Sequence, residues 1–194
     1  MTDGWATYYR DGGWVSEQTI FPPGPYLDVF NPDIILLHIG TNDITHEGTA
    51  ALSNQRISAI LDLVDQYEAR ANKEVIVFVA LIINRVKPWG TKATQTTAFN
   101  NGIKTILQNR IASGDKLVIV DMENDAGFVY SYDEDMANDG QGLHPNEVGY
   151  SKMAALWYSS IEANYNTAPV ISEIPDQVFD QATSSNTILL YDYV

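Results

Sequence analysis

Two polar clusters carry the residue types that acyl chemistry needs. The first is Gly40-Thr41-Asn42-Asp43, and the second is Asp139-Gly140-Gln141-Gly142-Leu143-His144-Pro145-Asn146. A side-chain amide such as that of Asn42 can donate a hydrogen bond to a developing oxyanion. An imidazole such as that of His144 can take up and return a proton near neutral pH. Pro145 fixes the backbone just after the histidine, and with Asn146 it opens a helix that would hold the ring in place. Each cluster also has a plainer reading. Gly-x-Asn-Asp at a strand end is often only a turn, because Asn and Asp bond their own backbone, and a lone histidine is more often structural than catalytic. His38, inside an apolar run, reads as a core residue or one that stands behind the site. His46 with Glu47 lacks a ligand spacing such as His-Glu-x-x-His, so no metal site and no cofactor is expected.

These clusters need rigid supports, and the chain supplies them. Asn31-Pro32-Asp33 is a turn signal, followed by the apolar run Ile34 to Ile39. A run without polar alternation, apart from His38, predicts a strand over 33–39 that is buried on both faces. The runs 74–82 and 117–121 predict two more strands. Between them lie helical patterns. Ser53 is expected to cap a helix reaching about 72, with Ile57, Ile60, Leu61, Val64, Tyr67 and Ala71 on one face. A second helix is expected over 91–113, with Phe99, Ile103, Ile106, Leu107 and Ile111 inward, stopped by Ser113-Gly114-Asp115. Asn146 is expected to cap a last helix with Tyr150, Ala154, Trp157 and Ile161 inward. Strands alternating with amphipathic helices predict an α/β fold with a central parallel sheet. In such sheets ligands bind beyond the carboxyl ends of the strands, where Asn42 falls.

Composition narrows the function. The 194 residues include 25 acidic and 11 basic side chains, a formal net charge of -14. Phosphate binding needs clustered Lys and Arg, so nucleic acid and anionic membrane surfaces are disfavoured as partners. The absence of cysteine excludes disulfides and thiolate catalysis in this chain. No apolar run approaches the ~20 residues that span a bilayer, and the start, Met1 to Trp5, lacks the pattern of a signal peptide. Residues 1–30 read as loops rich in Gly, Pro and aromatic residues, so no strand is expected before Asp33. From Asn166 the helical periodicity stops. Residues 166–194 read as a linker and the start of an all-β unit too short for its own core, leaving 1–165 as the main domain.

Taken together, the clusters resemble the SGNH (GDSL-type) hydrolase superfamily, in particular its bacterial carbohydrate-esterase branch. Gly40, Asn42 and Asp43 match its Gly-x-Asn-Asp block, in the setting Pro-Asp-Ile-Ile-Leu-Leu-His-Ile-Gly-Thr-Asn-Asp. His144-Pro145, followed by Asn-Glu-Val-Gly-Tyr-Ser-Lys-Met-Ala, matches the block that carries the histidine. Gly13 before Trp14 resembles the block that contributes a glycine amide. The resemblance covers about residues 10–165 and implies a three-layer αβα, flavodoxin-like domain. It implies hydrolysis of acyl or acetyl esters, with a small ester or acylated carbohydrate as substrate. His144 would be the base, and Asn42 and the Gly13 amide the oxyanion hole.

Two departures from the family pattern stand out. The block Gly-Asp-Ser-Leu/Ile, which carries the nucleophilic serine at the end of the first strand, has no match here. The expectation is therefore an N-terminally truncated domain without its first strand, inactive or weak. Thr2 and Ser16 lie near the N-terminus, but neither follows a glycine-aspartate lead-in. The second departure is the acid. Where the family has Asp in Asp-x-x-His-Pro, this chain has Gln141, so either Asp139, reached through the pliable glycines 140 and 142, or a backbone carbonyl orients His144. An alternative function is a binding module that keeps the pocket without the chemistry, with Trp89, Phe128, Tyr130 and Tyr132 stacking on sugar rings. A sheet without its first strand would expose an edge through which copies could associate. Family habit and the β-type tail lead to the expectation of a secreted parent protein.

Overall fold

The computed structural model describes residues 26–46, 50–86, 91–140 and 142–165. In chain order these form α1 (Tyr26–Phe30), β1 (Ile34–Leu37), α2 (Thr41–His46), α3 (Ala50–Ala71), β2 (Ile76–Leu81), α4 (Lys92–Ser113), β3 (Leu117–Asp121) and α5 (Glu147–Tyr165). The three strands make one parallel sheet in the order β1-β2-β3. The register sets Leu36 beside Phe78 and Phe78 beside Val118. This is the α/β architecture that the alternation of apolar runs and helical patterns predicts.

Side chains alternate across the sheet, so each face has its own core. One face presents Leu37, Val77, Val79 and Leu81 to Ile57, Ile60, Leu61, Val64 and Tyr67 of α3 and to Phe99, Ile103 and Leu107 of α4. The other presents Phe78, Ala80 and Val120 to Met153, Leu156, Trp157 and Ile161 of α5, and to Met122, Phe128, Tyr130 and Met136 of the long loop after β3. Helices on both faces of the sheet make three layers. Arg110 of α4 ties the first helical layer together: it bonds Asp62 of α3 at 2.7 Å and Asp115 at 2.6 Å, and also meets Asp65. The acids hold its guanidinium above its usual pKa although burial opposes them.

Several expectations need correction. β1 is not buried on both faces, since Leu36 is 49% exposed. It stands at the edge of the described sheet, while α5 packs against β3. Ser53 does not cap α3, because the helix begins by Ala50; Ala71, in its last turn, is exposed. Ile111, near the end of α4, is exposed too. On α5 the buried face is set by Gly149 and Met153. That phase turns Tyr150 and Ala154 outward while Trp157 and Ile161 stay packed. The end of α4 is as expected, with the Gly114 amide donating to the Ile111 carbonyl at 3.0 Å. The expectations for residues 1–25 and for the tail 166–194 lie outside the described residues. No described helix is long and apolar enough to cross a membrane.

Candidate active site

The turn after β1 places Asn42. Gly40 there has φ +120, which disfavours any side chain, and a Cβ on it would lie 2.6 Å from Cζ of the buried Phe99 ring. The chain can therefore bend directly against α4 and start α2, whose Ile44 amide donates to the Gly40 carbonyl at 3.0 Å. Buried Asp43 anchors that helix by accepting a 2.6 Å bond from Arg56 of α3. Lys92 of α4 donates to the Ile44 carbonyl at 2.7 Å. Gly40→Ala should lower stability by about 2 kcal/mol, from positive-φ strain plus a crowded ring. Chemical denaturation of the variant against wild type checks this.

His144 is placed by a loop that closes on itself. Met136 and Pro145 form an isolated antiparallel bridge. The Ala137 amide donates to the His144 carbonyl at 2.8 Å, and the Asn146 amide to the Asp135 carbonyl at 2.9 Å. The Asn146 side chain donates to the Glu134 carbonyl at 2.5 Å, while its oxygen accepts from the amides of Val148 and Gly149 at 2.9 and 3.1 Å, capping α5. Beneath the loop, the buried Asp135 carboxylate accepts from the Val129 amide and from Lys152 of α5, both at 2.6 Å. Lys152 and the Val129 amide hold the Asp135 carboxyl below its usual pKa, against the opposing effect of burial. The loop is thus fastened at both of its ends to α5.

Within the loop, one carboxylate oxygen of Asp139 accepts from the Gly142 amide at 3.0 Å and the other is hydrogen-bonded to Nδ1 of His144. That bond leaves Nε2 as the ring nitrogen able to exchange protons with a ligand. A cleft of about 360 Å³ lies beside it, lined by His38, Thr41, Asn42, Ile83, Leu143, His144, Pro145, Tyr150 and Met153. Asn42 and His144, far apart in sequence, therefore face one space at the carboxyl end of the sheet. His38 lines the cleft as well, rather than lying in the core. Among these lining residues the side-chain hydroxyls are those of Thr41 and Tyr150. Gly13, Ser16 and Gln141 lie outside the described residues, as do Glu47 and Trp89.

Sequence reasoning missed a partly buried polar network at the ends of β2 and β3. Glu123 accepts from Asn84 and Asn100, both at 2.7 Å, and from Thr97 at 2.5 Å. Asn100 also bonds the amide and the carbonyl of Ile82, at 2.9 and 2.8 Å. The Tyr130 hydroxyl accepts from the Asn84 amide and donates to the Glu123 carbonyl, both at 3.1 Å. Its ring stacks on Phe128 with centroids 5.5 Å apart. Burial, reinforced by nearby carboxylates and opposed by the Asn84 amide, pushes the phenol up to about 12, so it stays neutral and keeps both bonds. Phe128 and Tyr130 are therefore anchors of the long loop. The only signal in the sequence was the abrupt polar step after each strand, at Asn84 and at Glu123.

Comparison with known proteins places the chain in a family. Residues 3–152 match the GDSL-like Lipase/Acylhydrolase family. Over 156 residues the chain is 29% identical to the "Multidomain esterase" of Ruminococcus flavefaciens, which covers 78% of this chain but only 19% of that protein. Among solved structures it is similar to a Clostridium thermocellum family 3 carbohydrate esterase, with 28% identity and a TM-score of 0.52. It is also similar to an acetyl esterase solved as a serine-to-alanine mutant with an acetate ion, with 26% identity and a TM-score of 0.57. Each structural match covers 71% of this chain and 60% of the solved chain, so this sequence spans less than two thirds of the length of these relatives. With the family match running through both polar clusters and the fold shared with these esterases, the chain belongs to the GDSL-like lipase/acylhydrolase family.

Proposed function

We propose that this chain is an esterase-type hydrolase domain that takes acyl or acetyl esters, with acylated carbohydrate as the substrate class. The observation that carries this reading is the His144–Asp139 pair at a cleft shared with Asn42. In the proposed reaction His144 Nε2 removes the proton of an attacking hydroxyl or water. Asn42 and the Gly13 amide stabilise the oxyanion, and the protonated imidazole returns its proton to the leaving alcohol. Asp139 holds the ring in the tautomer this needs and stabilises the imidazolium. The carbohydrate and acetyl preferences rest on what the matched esterases are named for.

The 194 residues contain no Gly-Asp-Ser. Members of a nucleophile-base unit act together, so loss of one removes most of the covalent chemistry. Turnover by this chain is therefore proposed to be weak, through water activated by His144. A serine-reactive phosphonate and an activated acetyl ester test this on the full chain. Slow hydrolysis that His144→Ala abolishes, with no serine strongly labelled, is the expected result. Strong labelling of one serine, lost in His144→Ala, would mean that the chain carries its own nucleophile.

The lining of the cleft favours one second reading, a module that binds acylated carbohydrate without turning it over. Among the described residues no serine faces the space beside His144. Saturable binding of an acetylated sugar with no acetate release, in wild type and in His144→Ala alike, would select this reading over the first.

A further inference from the structure

The loop leaving β2 carries a buried cation that the reaction above does not use. Arg85 is 4% exposed. A guanidinium has five N–H donors. Here Nη1 reaches Thr45 Oγ1 at 3.3 Å and Nη2 reaches Thr96 Oγ1 at 3.4 Å, both long bonds to neutral acceptors. Its Nε is enclosed and meets no acceptor. Among the described residues no carboxylate lies within ion-pair distance of it. This is not a shortage of acids: Arg56, Arg70 and Arg110 each hold an aspartate. Burying a charge without a counter-charge is costly, and arginine cannot escape by losing its proton. Burial alone lowers the guanidinium pKa from its usual value, with no acid pushing back.

Arg85 also lines a cleft of about 310 Å³ together with Asn84, Val86, Ala93 and Tyr130. The volume is at the small end for ligand pockets. One loop walls this cleft and the His144 cleft, since Ile83 lines the latter. The Val86 amide donates to the Gly142 carbonyl at 3.0 Å, inside the His144 loop. Thr45, which meets Arg85, bonds the Thr41 carbonyl at 2.7 Å on the helix that carries Asn42.

We propose that Arg85 is the recognition point for a carboxylate in this second cleft, and that the ligand is a carboxylate-bearing sugar of the uronic acid type. A planar guanidinium whose two Nη groups hold only long bonds to neutral hydroxyls matches a carboxylate. A monoanion suits a single cation; a phosphate would call for more positive charge, and the nearby Lys92 is already bonded to the Ile44 carbonyl. Asn84 and Tyr130, held in place by the Glu123 network, leave a wall of fixed shape at the scale of one sugar. The assignment deepens the esterase reading by naming an acidic sugar as substrate class, and it rests on that reading for the acyl group and for the choice of a sugar.

Amide chemical shifts of the full chain, titrated at neutral pH with sodium glucuronate, glucose or acetate, test the proposal. Glucuronate is expected to shift Ala93 and Tyr130 saturably, with glucose at least tenfold weaker. Arg85→Met should weaken glucuronate at least tenfold and leave glucose unchanged, while Arg85→Lys should retain part of the preference. Equal titration by glucuronate and glucose in wild type, or an Arg85→Met that binds glucuronate as wild type does, would overturn the proposal. Acetate binding as tightly as glucuronate would overturn the sugar assignment. Because the readout is binding, absence of ester turnover leaves this result intact, and a failed titration leaves the esterase reading intact.

Discussion

Lys152→Met is expected to lower the free energy of unfolding by about 3 kcal/mol at neutral pH. Removing one partner of a buried ion pair costs roughly 3–5 kcal/mol, because the remaining charge is stranded. The low end applies here, since the Lys152 side chain is 33% exposed while that of Asp135 is 1% exposed. Asp135 would keep the Val129 amide. Its other oxygen, Oδ1, already meets no donor, so nothing described compensates for the loss. The pH dependence gives the prediction a second arm. The folded-state pKa of Asp135 is lowered, so its stabilising contribution is fully present above the unfolded value of about 3.9 and is lost as pH falls through the folded value. In Lys152→Met the stranded carboxyl prefers to be protonated, so acid relieves the variant. The gap between wild type and variant should shrink on acidification. Urea melts at neutral pH and near pH 4 measure both. A gap that does not change with pH would assign the loss to packing of the lysine stem instead. The double variant Asp135→Leu/Lys152→Met should recover part of the stability, since an apolar pair strands no charge.

The elements of this fold were legible because buried strands and amphipathic helices leave opposite periodicities. Phe78 to Ala80 could only be a strand, and Ile57 to Tyr67 only a helix face. What the pattern cannot report is what covers each face. Leu36 belongs to an apolar run as strong as that of β2, yet it is exposed because cover on that side of the sheet falls over its neighbours. On α5 the wrong phase followed from weighting side chains: Tyr150 is large and Gly149 has none. In the structure it is the glycine that packs, since helices approach most closely where the side chain is smallest. The pairing of Asp139 with His144 was legible as one of two alternatives. The choice depends on loop geometry, with Gly140 and Gly142 both at positive φ, which residue types permit but do not dictate. Glu123 and Asn84 were illegible as a network, because each alone is an ordinary polar residue after a strand. Arg85 likewise reads as a loop arginine until its burial is known.

Gly149→Ala is expected to lose about 3 kcal/mol or more, against the usual rule for helices. In an ordinary helix interior the substitution is stabilising by roughly 0.5–1 kcal/mol, because alanine restricts the unfolded chain. Here a Cβ would stand 2.3 Å from the Asp135 carbonyl oxygen and 2.7 Å from Cβ of Pro145. Neither is the far end of a flexible side chain. One is backbone already engaged by the Asn146 amide, and the other belongs to the residue that follows His144. Overpacking of this kind costs typically 1–3 kcal/mol and more when backbone must move, so the clash outweighs the propensity gain. The strain has to be relieved by shifting the loop 134–146 away from α5. That motion would pull on the Met136–Pro145 bridge and carry His144 away from the cleft it shares with Asn42. Calorimetry should show a melting temperature lowered by several degrees. Amide shifts should change through 134–146 while those of β2 and α4 stay in place. A stabilised variant, or one whose shifts change only within α5, would mean that the contact between helix and loop does not fix the position of His144.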